Sequence, residues 1–251
     1  LYYCDNELNP LSESGLTFGS EGALPYLTLN SSTALGYKLT DKYIGDYENG
    51  CIEFWFKPDS VSGTQYLFGV QDPDIKTYYT VKIENGKLVL YIRERNKSEQ
   101  KLLVSADSVI ANKWNFFALN FYLRDDGLGY EPNCEVALIL NADIQMYSSR
   151  TTIFNIDLGL QPVYYIGHRY DGANVSGFSG KIACVNISPR WYRTYDSIKG
   201  DYTVMKDFIE DCQYIDKTAQ TLDISETVTL IPSDNTENLF EIYPLNNSVV
   251  S

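Results

Sequence analysis

The sequence predicts an all-β fold, an antiparallel two-sheet β-sandwich with a short helix after the main sandwich. Apolar runs of strand length recur as far as Ile187, turn-forming residues separate them, and helical periodicity appears only beyond them. Strand-length runs without intervening helices are typical of antiparallel sandwiches. With 251 residues, 44% of them hydrophobic, the chain is long enough for one large sandwich with a sizeable core.

Alternation of apolar and polar side chains identifies the clearest strand, Cys51–Lys57. Phe54 and the residues two positions away share one face of this strand, and Trp55 lies on the other. Trp55 is therefore expected either on a concave sheet or under the C-terminal segment. Farther along, Asn85-Gly86 predicts a two-residue hairpin turn, because a type I′ turn needs positive φ at both central residues.

The other strands are predicted from apolar runs bounded by turn residues. Trp114–Leu123 and Glu135–Leu140 are apolar on both faces and are predicted to be central. The remaining predicted strands, in chain order, are Leu24–Leu29, Leu35–Leu39, Tyr66–Val70, Tyr79–Glu84, Lys87–Arg93, Lys101–Val104, Ile144–Tyr147, Val163–Gly167 and Gly180–Ile187.

The C-terminal part of the chain has a different pattern. Apolar residues at helical spacing, namely Val204, Phe208, Ile209 and Cys212, predict a surface helix over Thr203–Ile215. We therefore divide the chain into a sandwich over residues 1–196 and a helical and extended appendage over residues 197–251. The candidate strands Thr227–Ile231 and Leu239–Tyr243 lie in this appendage. Its end either connects to a further module or forms a last strand that docks on the sandwich. Because the sequence begins with Leu1, we expect it to be part of a longer protein.

Charge and composition exclude several classes of partner. The chain carries 33 Asp and Glu against 20 Lys and Arg, a net charge of -13, which disfavours nucleic acid and anionic membrane surfaces. No apolar run approaches the ~20 residues of a transmembrane helix, so membrane insertion is not expected. The five cysteines lack C-x-x-C spacing, which argues against zinc. Cys51, Cys134 and Cys184 lie in or beside apolar runs and are predicted to be small buried hydrophobes.

Several motifs follow one another in an order known from one family. They are an early hairpin, a Lys-Trp pair leading into an apolar strand, a strand before an Asn-containing turn, and a closing Phe-Ser-Gly-x-Ile. The segments are Gly50–Pro58 with Gln65–Val70, Lys113–Leu119, Val136–Asn141, and Tyr165–Gly167 with Phe178–Ile182. Together they resemble the laminin-G-like branch of the concanavalin A-like lectin/glucanase superfamily, from Leu24 to Ser188.

The resemblance implies a jelly roll that binds ligands on its rim loops or on a concave sheet. Glycosidases need two carboxylates about 5–10 Å apart. The clustered Glu-x-Asp-x-x-Glu pattern of the superfamily's glucanases does not occur in this sequence. His168 is the single histidine, and no nucleophile motif accompanies it. We therefore predict that the protein is not an enzyme.

Sugar binding needs aromatic faces and planar polar groups. The best clusters are the pair Tyr78 and Tyr79 and the loop after the strand Val163–Gly167. The predicted ligand-binding residues are Tyr78, Tyr79, His168, Arg169, Tyr170, Asp171 and Asn174. No cofactor is required, but the sequence leaves calcium binding as an alternative. Asp72 and Asp74 are the candidate ligands, because hard cations bind oxygen-rich loops.

These observations predict a lectin-like, carbohydrate-binding module that serves recognition or adhesion. Its partner would be a glycan or a cell-surface receptor, and its setting extracellular, on a cell surface or on a virion, for example as a phage tail component. Two alternatives stay open at this point. One is a structural assembly module that packs against sister subunits, and the other is a polysaccharide hydrolase or lyase.

Overall fold

The computed structural model describes residues 9–12, 17–22, 24–31, 35–38, 49–71, 78–94, 97–122, 134–149, 163–167, 177–189 and 193–214. Within these ranges the chain forms fourteen strands and one helix. The strands are β1 (Asn9–Ser12), β2 (Thr17–Glu21), β3 (Leu24–Leu29), β4 (Leu35–Lys38), β5 (Asn49–Pro58), β6 (Thr64–Gln71), β7 (Tyr78–Glu84), β8 (Lys87–Arg93), β9 (Gln100–Val104), β10 (Asn115–Tyr122), β11 (Cys134–Leu140), β12 (Asp143–Ser149), β13 (Val163–Ile166) and β14 (Gly180–Pro189), followed by the helix α1 (Tyr195–Tyr214).

The strands form two seven-stranded antiparallel sheets. The first sheet has the order β1-β4-β13-β6-β7-β8-β9, and the second has the order β12-β11-β10-β5-β14-β3-β2. Chain neighbours pair in β6 to β9 and in β10 to β12, whereas β5 pairs with the distant β10 and β14. This confirms the predicted two-sheet antiparallel sandwich.

The main core lies between the inner faces of the two sheets. Phe54 of β5 is completely buried there, and its ring centroid lies 4.8 Å from that of Phe117 on β10 and 6.4 Å from that of Phe68 on β6. Such tilted and edge-to-face aromatic pairs add to the free energy gained by burying apolar area. The predicted alternation in β5 is confirmed, since Ile52, Phe54 and Phe56 all belong to this core.

The predicted strands from Leu24 to Gly180 all form, with ends that differ by up to two residues. The predicted hairpin is also present, because Asn85 and Gly86 have φ angles of 50° and 77° between β7 and β8. Two strands were not predicted, β1 and β2. β2 is an edge strand with mostly exposed side chains, so it lacks the apolar alternation that marks half-buried strands. The candidate strands Thr227–Ile231 and Leu239–Tyr243 lie outside the described residues.

The helix differs from its prediction in both extent and packing face. It begins at Tyr195 rather than Thr203. Val204 and Phe208, which were expected on one apolar stripe with Ile209, are exposed. The residues that pack on the second sheet are instead Tyr195, Ile198, Tyr202, Met205 and Ile209. Their spacing of three and four residues defines a narrow contact seam.

A second apolar cluster lies between α1 and the outer face of the second sheet. The Tyr202 ring stacks on Trp55 with centroids 5.6 Å apart and an interplanar angle of 12°, and both rings contact Phe116. Trp55 therefore lies under the C-terminal segment, one of the two positions expected for it. The division predicted at residue 196 falls in the first turn of α1 and stays a prediction.

Polar groups fasten the start of α1 to the same sheet face. The side chain of Asn120 donates to the Arg193 carbonyl at 2.7 Å and accepts from the Arg193 amide at 3.1 Å. The Arg193 guanidinium forms ion pairs with the buried Glu53 and, at 2.6 Å, with Asp201 of α1. Burial raises the pKa of Glu53 to about 7, although the nearby Arg193 lowers it. Asn186 donates to Glu53 at 2.7 Å.

The described cysteines and the helix also bear on the sequence predictions. Cys51 is buried and free, as expected of a small hydrophobe, and burial raises the pKa of its thiol. Cys184 is half-buried. Cys134 begins β11, and its side chain lies outside the described ones.

No helix in the described ranges combines the length and the apolar character that crossing a bilayer requires.

Removing one partner of the buried Glu53–Arg193 ion pair should destabilise the fold strongly. Arg193→Met leaves the Glu53 carboxylate buried without its cation, and it should lower the free energy of unfolding by about 3–5 kcal/mol. The double variant Glu53→Gln with Arg193→Met should recover most of this loss. Urea denaturation followed by tryptophan fluorescence measures both, because Trp55 lies under α1. Lys199→Met, on the exposed side of α1, is the control, and a wild-type stability for Arg193→Met would contradict the prediction.

The closing Phe-Ser-Gly motif contains a position, Gly180, that only glycine fits. Gly180 has a φ of 151°, and a Cβ there would lie 2.2 Å from the Lys57 carbonyl oxygen and 2.8 Å from the Phe178 ring. Gly180→Ala should lower the free energy of unfolding by about 1–3 kcal/mol or more. The matched control is Gly200→Ala in α1, where a Cβ meets no atom within 4 Å. That variant should gain up to about 1 kcal/mol from helix propensity. Equal stability of the two variants would rule the explanation out.

Candidate functional site

Of the predicted ligand-binding residues, the structure describes Tyr78 and Tyr79. The other five, His168, Arg169, Tyr170, Asp171 and Asn174, and the candidate calcium ligands Asp72 and Asp74, lie outside the described residues.

The two neighbouring tyrosines lie on opposite faces of β7. Tyr79 is 2% exposed and belongs to the main core, with its ring 4.8 Å from that of Phe121. Tyr78 belongs to the outer face of the first sheet, where it pairs with Arg93 of β8. The period of two residues in a strand produces this separation. The structure therefore brings Tyr78, and not Tyr79, into the outer face.

Tyr78 is part of a polar group that we call the tyrosine–lysine patch, formed by Tyr66, Tyr78, Lys82, Tyr91 and Arg93. These side chains come from β6, β7 and β8. Cross-strand register places them on one face, because Tyr66 is paired with Lys82, and Tyr78 with Arg93. None of the five belongs to either apolar cluster.

Lys82 is the centre of the patch. Its ammonium lies 4.9 Å from the Tyr66 ring centroid and 3.9 Å from the Tyr91 ring centroid, so the two rings enclose it. The residue is only 5% exposed. A cation between two aromatic faces is stabilised by their quadrupoles. The enclosure explains how a lysine is kept buried on the outer face of a sheet.

Two carboxylates extend the patch toward solvent. Glu99 accepts from the Lys82 ammonium at 2.9 Å and 3.0 Å and from the Tyr78 hydroxyl at 3.0 Å. Glu84 accepts from the Tyr91 hydroxyl at 2.8 Å and from the Lys101 ammonium at 3.3 Å.

These contacts also change the acidity of two donors. Burial, with the hydrogen bond to Glu84, raises the pKa of the Tyr91 hydroxyl. Hydrogen bonds with Tyr91 and Glu84 raise the pKa of Lys101. The result is a connected network of hydroxyl, carboxylate and ammonium groups on aromatic rings, the mixture that sugar hydroxyls require.

The loop that carries the other predicted residues begins and ends beside Tyr66. Gly167, its last described residue before the loop, donates to the Leu67 carbonyl at 2.8 Å, and Gly177, the first after it, forms a bridge with Tyr66. Tyr78 is paired with Gln71, four residues farther along β6 than Leu67. This is about 13 Å along the strand. The structure thus places Tyr78 and the roots of the loop toward opposite ends of the patch.

The outer face of the second sheet holds a different charged cluster, which ties the edge strand β2 to the rest of that sheet. The Glu21 carboxylate accepts from Lys57 at 2.9 Å, from the Trp114 indole at 3.0 Å and from Lys181. Burial raises the pKa of Glu21, but the hydrogen bonds from Lys181, Lys57 and Trp114 outweigh it and hold the value at about 2. Lys181 also lies 4.2 Å from the Tyr26 ring centroid. These groups satisfy one another and hold strands together.

The sequence predicted Tyr78 as a ligand-binding residue, and it did not indicate Tyr66, Lys82 or Tyr91, which lie in the same patch. One available signal was the alternation of polar side chains along β7, where Tyr78, Lys82 and Glu84 share a face. The enclosure of Lys82 depends on strand pairing and on Glu99, which no local pattern shows. Among the described residues, no group of three or more His, Cys, Asp and Glu side chains is placed to hold a metal ion.

Comparison with known families and structures gives consistent results. A laminin-G model described as the concanavalin A-like lectin/glucanases superfamily matches residues 31–196. None of the curated protein sequences matches the chain.

Similar solved structures include three binding domains of botulinum neurotoxins. The serotype D binding domain is 15% identical, with a TM-score of 0.54, and the match covers 78% of this chain and 47% of that one. The type G receptor binding domain is 13% identical, with a TM-score of 0.53 and coverages of 79% and 46%. The serotype D ligand binding domain in complex with N-acetylneuraminic acid is 16% identical, with a TM-score of 0.54 and coverages of 78% and 46%. The chain spans just under half the length of these structures, and identities this low show the shared fold alone.

The Glu21 cluster predicts a defined acid sensitivity. Because the pKa of Glu21 is lowered from 4.5 to about 2 in the folded chain, its contribution to stability is complete above pH 4.5 and is lost as the pH falls toward 2. Glu21→Gln should therefore lose less stability than the wild type over that interval. Denaturant unfolding at a series of pH values measures the difference. Lys181→Met should also reduce the loss of stability between pH 4.5 and about 2, because it removes one donor to Glu21. If the stability of all three proteins falls equally over this interval, the acid sensitivity does not come from Glu21.

Proposed function

The chain belongs to the concanavalin A-like lectin/glucanases superfamily, and from that premise we propose that it is a non-catalytic module that recognises a glycan or a cell-surface receptor. The observation that carries the proposal is the tyrosine–lysine patch. Its rings are oriented by neighbouring charges, and Glu99 and Lys101 are 27% and 49% exposed in their side chains, so polar groups of the network reach solvent. A ligand would meet hydrogen-bonding groups already held in place.

The similar solved structures support the proposal at the level of function class. Their names describe binding domains, a receptor binding domain and a complex with N-acetylneuraminic acid. We also propose that this chain acts outside a cell, at a cell surface or on a virion such as a phage tail, as one part of a longer protein. The loop residues His168, Arg169, Tyr170, Asp171 and Asn174 form a second part of the proposed site, and calcium at Asp72 and Asp74 remains part of the same hypothesis.

The arrangement of the carboxylates supports binding rather than hydrolysis. A glycosidase requires one carboxyl group that donates a proton to the leaving oxygen. Glu84 and Glu99 each accept hydrogen bonds from a lysine and from a tyrosine hydroxyl, so their oxygens already have partners within the patch.

A glycan array and a binding assay on receptor-bearing cells test the proposal. Tyr91→Phe keeps the ring beside Lys82 and removes the hydroxyl that contacts Glu84, so it should weaken binding of the best ligand by about threefold to tenfold. Tyr26→Phe removes one hydroxyl from the outer face of the second sheet and should leave binding unchanged. Tyr170→Ala measures the contribution of the loop.

The outcomes separate the alternatives. Absence of binding to every glycan and every cell type would overturn the proposal, and light scattering on the same sample would then show whether the chain assembles with copies of itself. Turnover of a bound polysaccharide would overturn its non-catalytic part. Equal binding by Tyr91→Phe and the wild type would move the site away from the patch.

A further inference from the structure

The hairpin segment that carries the patch has a charge opposite to that of the chain. Residues 78–104, which form β7, β8 and β9, contain six Lys and Arg against three Glu, a net charge of +3. The whole chain has a net charge of -13, so the remaining residues carry -16. A local surface of opposite sign attracts ligands that the rest of the molecule repels.

Each of the three glutamates in this segment is paired with a lysine. Glu84 is 3.3 Å from Lys101, Glu94 is 2.8 Å from Lys97, and Glu99 is 2.9 Å from Lys82. Lys87 donates to the Ala106 carbonyl. After these pairs are formed, Arg93 is the patch cation that no carboxylate of the described residues neutralises.

Arg93 is also held in a defined position. Its Nε donates to the Lys97 carbonyl at 3.2 Å, and its guanidinium lies 5.8 Å from the Tyr78 ring centroid. The two terminal nitrogens donate no hydrogen bond within the described part of the chain. Since Nε is already engaged, the free edge of the fork can bind a planar anion through two parallel hydrogen bonds.

Arg93 stands beside Tyr91, whose ring centroid lies 3.9 Å from the Lys82 ammonium and 5.5 Å from the Lys101 ammonium. Tyr91 lies two residues before Arg93 on β8, so both side chains project from the outer face, about 7 Å apart. Tyr91 is half-buried, and its hydroxyl is fixed by Glu84. An acidic monosaccharide is long enough to place its ring near Tyr91 and its anionic group at Arg93.

We propose that Arg93 anchors the anionic group of an acidic saccharide, a carboxylate or a sulfate, and so selects acidic over neutral glycans. This inference rests on the proposed function and adds the ligand class to it. Arg93 acts through direct contact with the ligand, and Tyr78 keeps the guanidinium in place.

The test is a glycan array in which every sialylated, uronic-acid and sulfated glycan is matched with its neutral counterpart. The wild type should bind acidic members about tenfold or more tightly than their neutral partners. Arg93→Gln should abolish this preference, because it removes the fork that holds the anionic group. Arg93→Lys keeps the charge without the fork and should retain part of the preference. Lys199→Gln, which makes the same charge change on α1, is the control.

The possible results are distinguishable. If the wild type binds acidic glycans and their neutral counterparts equally, this inference is wrong and the proposed function stands. If it binds no glycan at all, both this inference and the proposal that the chain recognises a glycan are wrong. An unchanged acidic preference in Arg93→Gln shows that Arg93 is not the anchor. Preference for carboxylated over sulfated members, or the reverse, identifies which anion the site takes. Thermal unfolding of each variant confirms that the fold is intact, because Arg93 is half-buried and forms no ion pair with the described residues.

Discussion

The second sheet carries large apolar side chains on both faces, and the need to cover those on its outer face organises the rest of the molecule. Its inner face meets the first sheet through Phe54 and Phe117, and its outer face carries Trp55 and Phe116. An apolar sheet face must be buried against another element. The helix α1 supplies that cover through the stack of Tyr202 on Trp55. The outer face of the first sheet is therefore the one that holds the polar patch among the described residues.

The two outer faces use charge in different ways. On the second sheet, Glu21 and Glu53 join distant strands and the helix, and lysine or arginine partners neutralise them. On the first sheet, lysines neutralise the glutamates, and Arg93 is left over. Charge on the face that α1 covers holds the strands and the helix together, and Arg93 is the cation left over on the outer face of the first sheet. This division lets an acidic protein display a locally basic surface.

Local sequence patterns predicted the strands well, because alternation and turn chemistry act over a few residues. The Cys51–Lys57 strand and the Asn85-Gly86 turn are examples. The helix was predicted too short and with the wrong face, since Tyr195, Tyr202 and Met205 pack by virtue of the aromatic surface below them rather than by aliphatic periodicity. Edge strands such as β2 have too little apolar alternation to be recognised.

The composition of the tyrosine–lysine patch was predictable only in part, for the same reason. Tyr78 stood out as an aromatic pair with Tyr79, and the strand period places the two on opposite faces of β7, but the partners of Tyr78 on β6 and β8 follow only from strand pairing. The enclosure of Lys82 involves a register shift between Tyr66 and Phe68 on β6 and a contact with Glu99, which lies 17 residues farther along the chain. Contacts of this kind arise from tertiary structure, which a single sequence does not display.

The position of β5 also has a consequence for the order in which the protein is made. β5 pairs with β10, which begins at Asn115, and with β14, which begins at Gly180. During synthesis the strand therefore has neither neighbour until these segments leave the ribosome, although both of its faces are rich in aromatic and aliphatic side chains. Pairings between distant segments slow folding and prolong the exposure of such strands. A nascent chain arrested before Gly180 should bind chaperones through Cys51–Lys57, and full release should wait for the closing Phe-Ser-Gly motif.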